Sequence, residues 1–260
     1  MNKNIAITLD VDWAPDFIID QVAFTLIEHS VKATWFITHK SPAIKRLAQY
    51  PELFELGIHP NFSEGSTQGS EPKAIMDHCF ELVPDAESMR THDLVQSTSL
   101  LKLVMTRYPI KVDVSIFLPY QFSASPFVYR SWEKCLLRIP YAWEDDHEME
   151  QEHPVWSAEH LLGSAEPLYV LNFHPIHIYL NSRNMNPYLN VKKLGIPLCD
   201  CLPHHLEAQV RQDTVGTGDL FKNLIPLIKN NYRSFNIIEL YKHWHEINKI
   251  EDRLVTCRTE

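Results

Sequence analysis

The N-terminal half of the chain alternates short apolar runs with segments of helical periodicity. Strands are predicted at 3–9, 33–38 and 55–59, where apolar residues run together before polar ones. Apolar residues recur at helical spacing across 16–29, and Pro42 begins a second, short helix. Such alternation of strand and helix is typical of a parallel α/β sheet or barrel.

The remainder of the chain continues this alternation. Further helices are predicted at 72–83, 94–108, 218–230 and 238–247, and further strands at 86–90, 112–117, 135–139, 168–174 and 234–237. Segment 181–217 is rich in Asn and in Pro-containing turns and is expected to be loop-like, either as a substrate-side insertion or as a partly mobile segment. Because no Pro/Gly/Ser-rich linker divides the chain, residues 1–260 are expected to form one domain.

Composition and charge narrow the classes of function. The chain has 260 residues, of which 45% are apolar, and its net charge is −9. A negative chain without a Lys/Arg-rich run argues against binding to nucleic acid or anionic lipid through a broad basic surface. No apolar run approaches the ~18 residues of a membrane-spanning helix. The N-terminus lacks the apolar stretch of a signal peptide, so a cytoplasmic location is expected.

The cysteines form no disulfide framework or strong metal motif. Their odd number and irregular spacing are most simply explained by free thiols in a reducing compartment. The five are Cys79, Cys135, Cys199, Cys201 and Cys257. The pair Cys199 and Cys201 alone is a weak metal motif.

Polar side chains follow several predicted strands, at the point where each apolar run ends. They are Asp10, Asp12, His59, Arg90, His92, His174 and His177. Because functional side chains of parallel α/β folds collect at the carboxyl ends of strands, we expect these residues to converge. Carboxylates and imidazoles bind divalent cations, which lower the pKa of water. Since a second carboxylate can accept that proton and an imidazole can protonate a leaving amine, the pattern indicates metal-assisted hydrolysis.

In its order of motifs, the chain resembles the polysaccharide deacetylase (NodB-homology) superfamily of carbohydrate esterases. The matching segments are Thr8–Asp12, Ala33–Phe36, Glu55–His59, Met89–Arg90 and Leu171–His174. The phrases Asp-Val-Asp-Trp-Ala-Pro-Asp, Gly-Ile-His-Pro-Asn-Phe and Asn-Phe-His-Pro-Ile-His-Ile are more similar to the divergent WbmS-like branch, which is associated with surface-polysaccharide (O-antigen) gene clusters. The resemblance rests on the ordered set of motifs rather than on any one of them.

This resemblance implies a fold, an activity and a cofactor. The fold is an irregular (β/α) barrel of about seven parallel strands with the site at its C-terminal rim, although the alternation alone also allows an open doubly wound sheet. The activity is removal of an N-acyl group, expected to be acetyl, from a sugar or surface-polysaccharide precursor. With a cytoplasmic location, the expected substrate is a sugar nucleotide or a lipid-linked glycan. The cofactor is a divalent metal, with Zn²⁺ expected and Mn²⁺, Co²⁺ or Ni²⁺ as alternatives.

The resemblance also implies roles for the residues at the strand ends. Asp10 corresponds to the general base, Asp12 to a metal ligand and His59 to the first metal histidine. Arg90 corresponds to the arginine that contacts the base carboxylate, and His174 to the general acid. From the residues alone, the two aspartates could instead cap a turn or a helix.

The third metal ligand is where the chain departs from the family pattern. Relatives carry a second His or an Asp four residues after the first metal histidine, and this position is Ser63 here, a poor ligand. We expect His92 to replace it, because His92 lies at a separate predicted strand end. The other candidates are Asn61, Glu64 and His78.

Two further residues are expected on the substrate side. Trp13 lies beside the aspartates and could stack on a sugar ring, and His177 could orient the substrate. Segment 143–146 loosely matches the one whose Asp tunes the catalytic histidine in relatives. Segment 91–94 replaces the Pro-rich loop that supplies an oxyanion-binding N–H in relatives, so that donor is not expected here.

Two other functions are compatible with the same residues. The bond that is cleaved could be another non-peptide C–N bond, or the chain could be a degenerate glycan-binding module, since Ser63 stands in a ligand position. Metal-assisted hydrolysis requires Asp12 and His59 to face one another, and a separation above ~8 Å would exclude it.

Overall fold

The computed structural model describes residues 3–163 and 166–248. The strands are β1 (Lys3–Asp10), β2 (Ala33–Ile37), β3 (Phe54–Ile58), β4 (Ser88–Met89), β5 (Val112–Phe117), β6 (Phe127–Ser131), β7 (Lys134–Tyr141), β8 (Trp143–Glu144), β9 (Leu168–Phe173) and β10 (Tyr232–Phe235). The α-helices are α1 (Asp16–His29), α2 (Pro42–Leu47), α3 (Pro72–Leu82), α4 (Thr98–Arg107), α5 (Asp145–Met149), α6 (Ala158–Leu161), α7 (Pro175–Leu180), α8 (Asn186–Lys192), α9 (Pro203–Leu206), α10 (Thr217–Asn231) and α11 (Ile237–Asn248).

β1 lies in the middle of a mostly parallel sheet. Among the described residues the strand order is β6-β7-β5-β4-β3-β2-β1-β9-β8, and β10 pairs with the N-terminal part of β1. β7 pairs with β5, whereas β8 pairs with β9. A single residue separates β7 from β8 in the chain. Ala142, between β7 and β8, donates its N–H to the carbonyl of Val170 at 3.1 Å. The continuous segment from β7 to β8 therefore links the two sides of a curved, barrel-like sheet.

Alternate residues of the strands face two apolar clusters. In β1, Ile7 and Leu9 belong to a large cluster that includes the helices, whereas Ala6 belongs to a smaller one. The smaller cluster collects side chains from β1, β2, β5, β7 and β9, and therefore fills the inside of the curved sheet. Since side chains alternate along a strand, Thr8 and Asp10 share the inner face with Ala6. Polar residues thus follow apolar ones towards the carboxyl end of the inner face.

The first two helices show how local sequence fixes the elements around the site. α1 buries Ile18, Val22 and Leu26 on one face, as the helical spacing predicts. It ends at Ser30, whose φ of 54° is left-handed and whose N–H bonds back to the last turn. α2 begins after Ser41, whose hydroxyl accepts the N–H of residue 44 at 3.4 Å.

The predicted α/β class is confirmed, and the main differences from the prediction have physical causes. The helix predicted from residue 94 begins at Thr98, because Asp93 and Leu94 have positive φ values of 51° and 53° that a right-handed helix cannot contain. The expectation that 181–217 is loop-like is wrong, since this segment contains α8, α9 and two 3₁₀ turns. β6, which pairs antiparallel with β7, was not expected, and its side chains are half-buried or exposed.

Other expectations concern particular residues. Among the described residues, no disulfide joins Cys79, Cys135, Cys199 or Cys201. Cys257 lies outside the described residues. Within 3–163 and 166–248, no helix has the length and apolar character needed to cross a membrane. That residues 1–260 form a single domain stays a prediction.

Candidate active site

Polar side chains from four parallel strands meet at the carboxyl edge of the sheet. Asp10 is the last residue of β1, His59 directly follows β3, Arg90 directly follows β4, and His174 directly follows β9. All four side chains are buried. The strand-end spacing in the sequence therefore does bring these residues to one place, as parallel pairing requires.

Three ligand-type atoms form a nearly equilateral triangle at this edge. Asp12 Oδ1 lies 3.3 Å from His59 Nε2 and 3.3 Å from His92 Nδ1. His59 Nε2 and His92 Nδ1 are also 3.3 Å apart. The separation of Asp12 and His59 is thus well inside the limit that would have excluded a shared cation.

The turn after β1 directs Asp12 towards the histidines. Asp12 and Trp13 have positive φ values of 43° and 57°. The N–H of Trp13 donates to the hydroxyl of Thr38 at 2.9 Å, which fixes this left-handed turn to the end of β2. Two consecutive non-glycine residues in this region are strained and need such support. The Trp13 ring meets His92 edge-on, with centroids 5.5 Å apart.

Hydrogen bonding and charge define the protonation of the triangle. His59 Nδ1 lies 2.8 Å from the carbonyl of Arg90, so Nδ1 carries the proton and Nε2 presents a lone pair. Burial would raise the pKa of Asp12, but the adjacent imidazoles of His59 and His92 outweigh it and hold that pKa well below the usual value. Burial would lower the pKa of His92, but Asp12 raises it above the ordinary value. The triangle therefore favours an ionised carboxylate.

Ser63, which occupies the position of a ligand in the family pattern, has a different contact here. Its hydroxyl donates to Asp93 Oδ2 at 3.3 Å, and its N–H donates to Asn61 Oδ1 at 2.9 Å. Among the described His, Cys, Asp and Glu residues, the group that could share an ion here consists of Asp12, His59 and His92. The structure thus places His92, rather than Glu64 or His78, beside the other two.

Asp10 is held by one donor on each carboxylate oxygen. Arg90 Nη1 donates to Oδ1 at 3.0 Å, and Asn172 Nδ2 donates to Oδ2 at 2.9 Å. The Arg90 guanidinium is fully buried between the rings of Phe36 and Tyr141, at 4.9 and 4.2 Å from their centroids. An arginine fixed in this way keeps the carboxylate oriented.

His174 is bound through its Nδ1 by two carboxylates. Nδ1 lies 2.6 Å from Asp145 Oδ1 and 2.7 Å from Asp146 Oδ1, and the backbone N–H of His174 donates to Asp145 Oδ2 at 3.0 Å. Nε2 points to the other aspartates, 3.8 Å from Asp10 Oδ2 and 3.7 Å from Asp12 Oδ2. The imidazole thus bridges the carboxylate pair and the triangle.

The charges around His174 shift three pKa values. Burial would lower the pKa of His174, but the charges of Asp146 and Asp145 raise it well above the ordinary value. Burial raises the pKa of Asp145 to about 7. For Asp146, the positive charge of His174 opposes burial and lowers the pKa. His174 therefore holds its proton at neutral pH, as a proton donor must.

His177 lies next to His174 and Asp146, and Tyr188 packs against His177. His177 Nε2 is 3.9 Å from Asp146 Oδ1, and its Nδ1 is 3.2 Å from the hydroxyl of Ser182. Burial lowers the pKa of His177 to about 4, so this ring is neutral where His174 is charged. Tyr188, from α8, packs edge-on against His177 with centroids 5.1 Å apart.

Several residues of this site escaped the sequence reasoning. Asn172 was noticed only as part of a motif, although it holds Asp10. Asp145 and Asp146 entered the sequence analysis only through segment 143–146, the loose match to the segment whose Asp tunes the catalytic histidine in relatives. Tyr188 lies in the segment expected to be a loop, and no local pattern pointed to it.

The fold and these contacts define an α/β barrel-like protein with a carboxylate–imidazole centre at the carboxyl ends of its strands. The model of the WbmS-like polysaccharide deacetylases matches residues 7–192. The chain belongs to this family of polysaccharide deacetylases. A comparison with curated proteins finds no match.

Solved structures give the same family. The chain is 30% identical to WbmS from Bordetella bronchiseptica, a protein assigned to polysaccharide deacetylation in O-antigen biosynthesis, with a TM-score of 0.69 over 85% of this chain and 89% of that one. It is 16% identical to the Bc1960 peptidoglycan N-acetylglucosamine deacetylase, with a TM-score of 0.52 over 93% of this chain and 89% of that one. The second likeness shows the fold alone.

Proposed function

We propose that the protein is a divalent-metal-dependent deacetylase that removes an N-acetyl group from a sugar in a surface-polysaccharide precursor. The observation that carries this proposal is the triangle of Asp12, His59 and His92, with 3.3 Å between each pair of ligand atoms. Family membership supports the reaction class. Metal dependence and the precursor are the parts that experiment must decide.

The donor set fits a divalent ion of the zinc type. Two imidazoles and one carboxylate are a frequent set for a catalytic ion with an open position, and tetrahedral coordination with bonds of about 2.0–2.1 Å separates ligand atoms by about 3.3–3.4 Å. Asp12 Oδ1 is buried and has no hydrogen-bond donor of good geometry among the described residues. A buried carboxylate oxygen of this kind calls for a cation. Zn²⁺ is the ion we expect, with Mn²⁺, Co²⁺ and Ni²⁺ as the alternatives.

The surrounding residues supply the proton transfers of an amide hydrolysis. When bound, the ion would polarise the acyl carbonyl and lower the pKa of the attacking water. Asp10, oriented by Arg90 and Asn172, accepts the proton of that water. His174, charged because Asp145 and Asp146 face its Nδ1, donates from Nε2 to the departing sugar amine. Trp13, which contacts His92 at the rim, offers a ring face or edge to the sugar.

The proposed substrate class follows from the family and from the likeness to WbmS. A surface-polysaccharide precursor is a sugar nucleotide or a lipid-linked glycan, and both carry the neutral acetamido group that an acidic centre can accept. His177 and Tyr188 lie on the His174 side, where the sugar amine departs. His177 is therefore a proposed substrate-orienting residue.

Metal content and acetate release test the proposal together. The purified protein is expected to bind about one Zn²⁺ per chain and to release acetate from an N-acetylated sugar nucleotide. Asp10→Asn should abolish acetate release and keep the metal, because Asp10 is outside the triangle. Asp12→Ala should lose both, because it removes a triangle atom. A wild-type protein that takes up no Zn²⁺, Co²⁺ or Mn²⁺ yet binds glycan would overturn the proposal in favour of a binding module.

A further inference from the structure

The two histidines of the triangle are held in different ways. The His59 ring is fixed by the hydrogen bond from Nδ1 to the carbonyl of Arg90, at 2.8 Å, and its side chain is 2% exposed. The His92 side chain is 21% exposed, and its outer nitrogen, Nε2, lies 3.7 Å from Asp93 Oδ1, beyond hydrogen-bond length. The direction of His92 Nδ1 therefore depends on the backbone of its own loop.

That loop adopts a conformation that is unfavourable by itself. His92 is followed by Asp93 and Leu94, both left-handed, with φ values of 51° and 53°. Consecutive non-glycine residues in this region persist only where surrounding contacts hold them. One such contact is the N–H of His92, which donates to the carbonyl of Pro60 at 3.0 Å.

Further contacts come from the outer face of β5 and β7. Ser115 Oγ accepts the N–H of Thr91, the residue before His92, at 2.9 Å. The same hydroxyl donates to Asp113 Oδ1 at 2.5 Å. Asp113 Oδ2 pairs with Arg138 Nε at 2.7 Å, and the two side chains are 1% and 5% exposed.

Gln96 binds the same residues on the C-terminal side of the loop. Its Nε2 donates to the carbonyl of Ser115, and its Oε1 accepts from Arg138 Nη2. The loop that carries His92 is therefore bound before it, through Thr91, and after it, through Gln96. Val114 and Ile139 face the inner cluster, so Asp113 and Arg138 lie on the opposite face and reach the triangle only through the loop.

We propose that this outer support, formed by Gln96, Asp113, Ser115 and Arg138, positions His92 as the third metal ligand in place of the one that Ser63 cannot supply. The inference rests on the proposed metal site. The members of the outer support are positioning residues, since none of them touches the triangle. The ion pair of Asp113 and Arg138, on the outer face of the sheet, would thus affect metal affinity.

Metal affinity of the full-length protein tests the proposal without any substrate. Ser115→Ala removes the acceptor of the Thr91 N–H, and Gln96→Leu removes both bonds of an exposed side chain. Each is expected to weaken Zn²⁺ binding by about 10-fold or more, as changes behind a metal ligand do, and to alter the visible absorption of the Co²⁺ form. Ser41→Ala is the matched control, because this buried serine caps α2 instead and should lower only the Tm.

A double-mutant cycle separates positioning from general destabilisation. In a His92→Ala background, Ser115→Ala should cause no further loss of metal affinity, because its effect passes through the missing ring. An equal loss in both backgrounds would overturn the proposal. If the wild-type protein binds no metal, the proposed function fails. Side-chain NMR of the metal-free protein then still decides the inference: His92 should show one ring conformation that Ser115→Ala makes heterogeneous, and an unchanged spectrum would refute it.

Discussion

The site contains two clusters built from the same residue types, aspartate and histidine. The clusters differ in the distances between their polar atoms. In the triangle of Asp12, His59 and His92, every pair of ligand atoms is 3.3 Å apart. Around His174, Nδ1 lies 2.6 and 2.7 Å from Asp145 and Asp146. The distance to Asp145 is that of a charge-assisted hydrogen bond, and the distances in the triangle match those between ligands of one ion. Distance, rather than composition, distinguishes the proposed metal site from the proposed proton donor.

Exposure distinguishes Asp12 and His92 from the Asp145 carboxylate. The side chains of Asp12 and His92 are 17% and 21% exposed, whereas that of Asp145 is completely buried. An ion in the triangle can therefore meet a substrate, while the Asp145 carboxylate can act only on His174. Asp146, at 41%, lies at the edge between them. The comparison predicts that variants of the two clusters will fail in different ways.

The largest expected effects come from removing one imidazole of each cluster. His59→Ala should lose the metal and with it activity, because it removes a buried ligand. His174→Ala should keep the metal and lower kcat by about 10²–10⁴, the usual contribution of a general acid. Metal analysis and acetate release on the same preparations give both results. If His174→Ala also lost the metal, the second cluster would belong to the metal site and the comparison would fail.

A smaller effect is expected from the carboxylates behind His174. Asp145→Asn removes a charge that raises the pKa of His174, so the acid would lose its proton at lower pH. We expect kcat to fall by about 10-fold or more at neutral pH and the alkaline limb of the pH–rate profile to move to lower pH. The profile is measured beside that of Asp219→Asn, whose half-buried carboxyl accepts a hydrogen bond from Asn181 instead. An unmoved alkaline limb in Asp145→Asn would show that this carboxylate does not tune the acid.

The sequence predicted this edge of the molecule better than it predicted the loops around it. Asp10, His59, Arg90 and His174 follow apolar strands, and parallel pairing brings such strand ends together whatever the loops do. The position of His92 depends on two left-handed residues and on contacts behind the sheet, which no local pattern encodes. The same holds for Asp145 and for Tyr188, which reach the site from short helices that give little periodic signal.

The smallest expected effect concerns the stability of the metal-free protein. The pKa of Asp12 lies below its ordinary value of 3.8, so its contribution is present above that pH and lost as the pH falls. The pKa of His92 lies above its ordinary value of 6.5, so its contribution is fully present below 6.5 and lost as the pH rises through the raised pKa. Without metal, the ion pair in the triangle therefore makes its full contribution to the free energy of unfolding between about pH 4 and 6.5.

Thermal unfolding of metal-free wild type and Asp12→Asn should reveal this window. Asn has nearly the same shape but cannot ionise, so the wild type should have the higher Tm between about pH 4 and 6.5, and the difference should shrink at higher pH. A change of ~1 kcal/mol in the free energy of unfolding corresponds to about 2–4 °C in a chain of this size. Asp20→Asn, in an exposed pair with Arg46, serves as the surface control. A Tm difference that stayed constant from pH 4 to above 6.5 would mean that Asp12 does not form an ion pair with the histidines.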